Sequence, residues 1–399
     1  MGASPTMNNL EDNIEAIRNE FPVLKYLTYL NCAAHGPGLE RCWKAVTDWW
    51  RFTLYEHPNV KAPNIKGELS RMIGCKLDEV TPFNRVSHAI NAVSDMMQLN
   101  KGENIVTTDL AYPSNIYPWI PQYRRGVEIK RVKSRGGLID TADFEKNIDD
   151  NTKVVSISRV EWTSGLLHDV KAIAEIAHDH GALVLDDGYQ AQGNVVVDVS
   201  RDKVDFYTFG SQKWLCCPSM AGALYVKRDH WADYEPHYRC YNRVEEAFRS
   251  GAPWERPEHD NIKDYDKPLV GDAEKYNQGL LGEDALWGFH ASLEYFNKLG
   301  TINIQDRNRK LSGYLIGKLK DLGVKVNTPD DPKRRGGLVT FTTNSHQTNQ
   351  KLFKALKDEG IIVALRYAGG VGGIRVSTQF YNTEDDIDKL CNKVKEILK

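Results

Sequence analysis

Between about residues 66 and 230, short apolar runs alternate with helical patterns. A chain written this way buries its strands most simply as a parallel sheet wound with helices. The candidate strands are 104–107, 127–132, 154–158, 182–185, 206–209 and 221–226. Between the third and fourth, apolar side chains recur at 170, 173, 174, 176 and 177, and Gly181 is placed to end that helix. In open sheets of this kind, ligands gather beyond the carboxyl ends of the strands.

Reactive side chains sit at two of those ends. Asp187 and Gln190 close the fourth run, in Ala182-Leu-Val-Leu-Asp-Asp187-Gly-Tyr-Gln190, and Lys213 closes the fifth, in Asp205-Phe-Tyr-Thr-Phe-Gly-Ser-Gln-Lys213. Taken singly, a lysine near a strand end is an ordinary surface residue, and Asp-Asp-Gly is an ordinary turn. Together, an acid, an amide and an amine at one sheet edge suit pyridoxal phosphate (PLP). The amine holds such a cofactor as a Schiff base, and the carboxylate keeps the pyridine nitrogen protonated so that the ring accepts electrons from a substrate Cα. Gln190 is placed to hydrogen-bond the ring hydroxyl.

Size and charge describe a soluble globular protein. At 399 residues two domains are expected, and a net charge of −2 with 41% apolar residues directs no face towards nucleic acid or membrane. No apolar stretch approaches a membrane span, and the N-terminus lacks the basic-then-apolar pattern of a secretory signal. Seven cysteines, with no Cys-x-x-Cys and no metal-ligand spacing, fit a reduced cytoplasmic setting and no metal. Residues 1–26 read as an N-terminal arm packing with the smaller domain, 27–282 as the large cofactor domain and 283–399 as a smaller α/β domain. Its expected elements are helices 304–322, 346–359 and 383–398, with strands near 324–327, 336–342, 361–365 and 373–377. The polar, proline-bearing stretch 235–282 has the length of a functional or disordered loop.

The segments Asp187-Gly-Tyr-Gln190, Asp205-Phe-Tyr207 and Gly210-Ser-Gln-Lys213-Trp-Leu-Cys-Cys-Pro218 resemble those of the class V aminotransferase group of fold-type I PLP enzymes, which includes cysteine desulfurases, selenocysteine lyases and isopenicillin N epimerases. The likeness covers about residues 20–395. It implies a large, mostly parallel sheet wound by helices, a smaller C-terminal α/β domain, and a homodimer with active sites near the subunit interface.

Carried over residue by residue, the resemblance gives Ser87 and the backbone at His88 to the cofactor phosphate, with Ser87 also a candidate helix cap, and Ser211 and Gln212 complete that cradle. Tyr112, in Asp109-Leu-Ala-Tyr-Pro-Ser-Asn115, stacks on the pyridine ring. Arg159 stands where relatives place an asparagine, histidine or tryptophan near the cofactor hydroxyl. Arg375, in Gly373-Ile-Arg-Val-Ser377, takes the substrate carboxylate; Arg366, before a glycine-rich loop at 369–373, and Asn115 are further substrate-side candidates.

Three departures shape the functional expectation. Gln212 replaces a common histidine and cannot shuttle protons near neutral pH, leaving Lys213 to do most proton transfer. Residues 365–374 contain no cysteine, whereas cysteine desulfurases carry their nucleophile there. Lys275-Tyr-Asn-Gln-Gly279-Leu280 has leucine where relatives place a threonine that reaches the neighbouring subunit's phosphate. The leading expectation is Cα proton transfer on an α-amino acid, by transamination or epimerisation. The alternatives are a β-lyase without a persulfide cysteine and a non-catalytic PLP-binding protein.

Overall fold

The structure, a computed structural model, describes residues 10–55, 63–245, 266–279, 281–343 and 345–398. Leu280 and residues 246–265 of the charged stretch between 235 and 282 lie outside the described residues.

A seven-stranded sheet organises the large domain. In spatial order its strands are Val80–Phe83, Gly222–Val226, Phe206–Gly210, Leu183–Asp187, Thr152–Ser158, Asn104–Thr108 and Glu128–Val132. Gly222–Val226 alone runs against the rest, so the sheet is mostly parallel. Successive side chains alternate between two faces: Val155 and Ile157 enter one apolar core, while Val154 enters another with the helix Val86–Met96.

A four-stranded antiparallel sheet, in the order Ala364–Ala368, Val371–Ser377, Leu338–Thr342 and Lys325–Val326, forms the smaller layer. The helices Thr301–Asp321, His346–Asp358 and Glu384–Leu398 cover it through a core of Leu315, Leu352, Val376 and Leu390. The expected glycine-rich loop at 369–373 is instead a tight hairpin turn with its second strand starting at Val371. Its strands run to Ala368 and Val371, and Gly369 and Gly370 turn the chain with φ of 56° and 75°, a conformation that glycine adopts without Cβ strain.

Residue 283, the expected start of the smaller domain, heads the helix Glu283–Leu299, whose Phe289, Leu293 and Phe296 lie in the large-domain core. That core changes over within the next helix, Thr301–Asp321. Near the N-terminus, Arg18 bonds the Tyr381 carbonyl and Asp386 at 2.9 Å each, and Thr28–Tyr29 pairs with Ile361–Ile362. Among the described residues no helix is long and apolar enough to cross a membrane.

Candidate active site

Asp187 ends its strand and is registered against Thr208 on the strand that leads to Lys213. Its carboxylate accepts from Asn115 Nδ2 and from the Tyr189 backbone N–H, both at 2.9 Å. Burial pushes its pKa up, and among the described residues no cationic side chain forms an ion pair with it. A lone buried carboxylate is costly to keep charged, so a cationic ring nitrogen brought to it would be strongly held.

Across the cleft, the Lys213 amine is lowered to about 7 by burial and by the charge of Arg375 and Arg366, against the pull of Asp187. A large uncharged fraction at neutral pH makes it a nucleophile for an aldehyde. Its Nζ lies 3.8 Å from the ring centroid of Tyr189 and 5.5 Å from that of Tyr112.

Arg375 is buried on Val371–Ser377. Its Nη1 donates to the Trp162 carbonyl at 2.9 Å, while Nε has no protein acceptor. Burial and the neighbouring Arg366 lower it to about 9. Among the described residues, Arg366 itself donates only to its neighbour's carbonyl, Leu365 O, at 2.9 Å. Two crowded guanidiniums with spare donors suit a carboxylate.

The phosphate-side candidates share one sheet edge. Phe83, Gly222 and Gly210 are aligned across three strands, so the chain enters both the Val86–Met96 helix and Ser211 from that edge. Arg85 ties the helix start to the far loop through Met220 Sδ at 2.6–2.9 Å. Ser87 is the second residue of the helix, with Arg85 at the cap position, so the expected Ser87 cap is corrected. Its hydroxyl lies 3.1 Å from Ser114 Oγ. His88 is exposed on the same turn. Ser211 Oγ donates to the Pro218 carbonyl at 2.6 Å, and the Gln212 carbonyl accepts from Gly36 N at 2.8 Å. Gln190 is tied at both ends of its amide, donating to Ala33 O at 3.0 Å and accepting from Trp214 Nε1 at 2.7 Å. Its second amide hydrogen stays available for a ring hydroxyl. Tyr112 is 40% exposed and meets Trp162 edge-on at 5.2 Å.

Two placements differ from what the sequence reading led one to look for. Arg159 does not join the site: its guanidinium lies between Asp186, at 2.6 Å, and Asp202, at 2.5 Å. Alternation along the strand turns Asp186 away from Asp187, and Arg159 is drawn to the buried acid that it neutralises. Asn115, expected on the substrate side, is fully buried and donates from its amide nitrogen to Asp187 at 2.9 Å and to Ser158 Oγ at 3.0 Å. Tyr189 and Trp162 were not singled out from the sequence, although Tyr189 lies inside the quoted segment Asp187-Gly-Tyr-Gln190.

A buried acid without a cation, a lysine poised near neutrality and paired arginines at the carboxyl edge of a mostly parallel sheet define a PLP site of the fold-type I kind. The chain belongs to the class-V aminotransferase family, whose model matches residues 56–390. A probable cysteine desulfurase of Methanothermobacter thermautotrophicus is 26% identical, over 96% of this chain and 98% of its own. In structure the chain resembles a cysteine desulfurase of Thermococcus onnurineus (TM-score 0.84, 21% identity, 98% of both chains). It also resembles a cystine C–S lyase bound to its product, cysteine persulfide (TM-score 0.82, 19% identity, 94% and 99% of the chains). The family and fold make this a PLP-dependent enzyme.

Proposed function

We propose that the protein acts on the Cα–H bond of an α-amino acid, with Lys213 as both cofactor anchor and proton carrier. The supporting observation is that Asp187, Arg375 and Arg366 all lie near enough to the Lys213 amine to act on its charge, with Tyr112 and Trp162 linking the lysine to Arg375. Bound there, PLP would supply the electron sink for the bond broken at Cα. Arg375, with Arg366 beside it, takes the substrate carboxylate and thereby orients the Cα hydrogen. Asp187, fixed by Asn115 and the Tyr189 N–H, holds the ring nitrogen. Ser87, Ser211, Gln212 and the N–H groups at the start of Val86–Met96 take the phosphate. Lys213 then accepts the Cα proton; Gln212 beside it has no titrating group to return the proton from elsewhere. A single carrier of this kind cannot reach the opposite face of Cα, as epimerisation requires, but could pass the proton along its own face from Cα to the cofactor's aldehyde carbon, as transamination requires.

A second reading, β-elimination at a carbon–sulfur bond, draws support from the cystine lyase relative and from the hairpin 364–377, which carries no cysteine. In this reading sulfur leaves as a small molecule rather than as a protein persulfide. The buried thiols agree, since burial raises both Cys216 and Cys217 well above their usual range and keeps them protonated. All seven cysteines are free, which accords with the reducing cytoplasm as the site of action. A homodimer is also part of the proposal, with the exposed Trp43, Trp50, Leu54 and Tyr55 as the contact it would cover.

Incubating purified enzyme with each common amino acid and cystine decides among these. Keto acid with conversion of the cofactor to its amine form marks transamination. Racemised substrate marks epimerisation, and pyruvate with released sulfide or persulfide marks elimination. No turnover of any of them would leave only a PLP-binding protein.

A further inference from the structure

One side chain in the cleft has no role in that scheme. Tyr189 follows Asp187 by two residues, in the segment Asp187-Gly-Tyr-Gln190. Its backbone N–H is bonded to Asp187 Oδ1 at 2.9 Å, while its ring face meets Lys213 Nζ at 3.8 Å. Tyr189 thus touches both groups between which a ring attached to Lys213 and paired with Asp187 has to lie. The neighbouring backbone is shaped for it. A Cβ on Gly210, the last residue of the strand that leads to Lys213, would fall 2.6 Å from Tyr189 Cε2 and 3.0 Å from Cζ. A side chain at 210 would push the phenol off the strand and away from the amine.

We propose that Tyr189 is a positioning residue, a second aromatic wall that covers the Lys213 amine in the cofactor-free protein and lies against the PLP ring once it is bound. Tyr112, 5.5 Å from the same amine, supplies the other aromatic surface. An electron-poor pyridinium gains from an additional π-face beside it, and an amine against a ring face is shielded from water. The inference rests on the PLP reading above, and the test separates the two.

Wild type, Tyr189→Phe, Tyr189→Ala and Tyr189→Leu are stripped of cofactor and retitrated with PLP, following the absorbance of lysine-bound PLP; borohydride reduction and peptide mapping identify the attachment site. Acetylation of Lys213 in the cofactor-free proteins is followed in parallel by mass spectrometry. Tyr189→Phe should match wild type in both measurements. Tyr189→Ala should raise the PLP Kd about tenfold, the scale of one aromatic contact, and acetylate several-fold faster at Lys213. Tyr189→Leu fills similar volume without a π-face, so it should weaken PLP binding like alanine while guarding against a folding defect. Unchanged or tighter PLP binding in both Tyr189→Ala and Tyr189→Leu would overturn the proposal, because the ring would then be neutral or an obstruction. Wild type that fails to attach PLP to Lys213 would overturn the cofactor reading itself.

Discussion

Lys213 and Asp187 were legible in the sequence because each ends a run that could only be a strand. What each side chain touches was less legible. Whether Asp186 or Asp187 faces the cleft depends on strand phase, and the acid turned away captured Arg159 in a buried ion pair. Asn115 looked like a substrate ligand because its polarity was visible and its burial was not. With the amine lowered to about 7, attachment of PLP to the cofactor-free protein should speed up between pH 6 and 8 and then level off, in stopped-flow absorbance. Stability follows the same proton. Unfolded lysine titrates near 10.5, so between about 7 and 10.5 the unfolded chain binds more protons at this site and cofactor-free stability should rise with pH. Lys213→Met should flatten that part of the profile and abolish covalent attachment. Asp187→Asn should still bind cofactor but turn over at least about 100-fold more slowly, roughly 2.7 kcal/mol of barrier. Arg375→Lys keeps the charge without the planar fork, and should raise KM for amino acids more than it weakens PLP retention.

Among elements, six of the seven large-sheet strands were readable from apolar runs. Val80–Phe83 was not, because Pro82 argues against a strand interior; it is tolerated on the sheet edge, where a missing N–H breaks no ladder on the open side. The 364–377 hairpin was hidden by glycines that resemble a loose loop yet make its turn. The connection 30–39 gave no signal at all, although Gly36 presses on the lysine turn. A Cβ there would come within 2.1 Å of the Lys213 carbonyl, and Gly36 N bonds the Gln212 carbonyl. Gly36→Ala should therefore displace Lys213, lowering PLP occupancy in the purified protein together with Tm. By contrast, replacing Cys216, Cys217 or Cys391 singly with serine should leave activity within several-fold, which a steady-state assay checks.

At the level of the whole molecule, two cores were expected, and the changeover inside Thr301–Asp321 could not be read because one continuous helix feeds both. The aromatic stripe on Glu40–Tyr55 carries the dimer prediction: light scattering should return twice 45.3 kDa, and Trp50→Glu with Leu54→Glu should shift the protein towards monomer. The pairing of Thr28–Tyr29 with Ile361–Ile362, continued by the bond from Ser377 N to Leu30 O, has a consequence for biosynthesis. The segment that braces the lysine turn is itself braced by strands made well after that turn. The large sheet can close while Arg375 is still unmade, but the amine and the guanidinium reach their working separation only when the chain's end folds back on its beginning. A nascent chain therefore carries an unaligned lysine from residue 213 until 361–377 have been made, and cofactor loading belongs after that point.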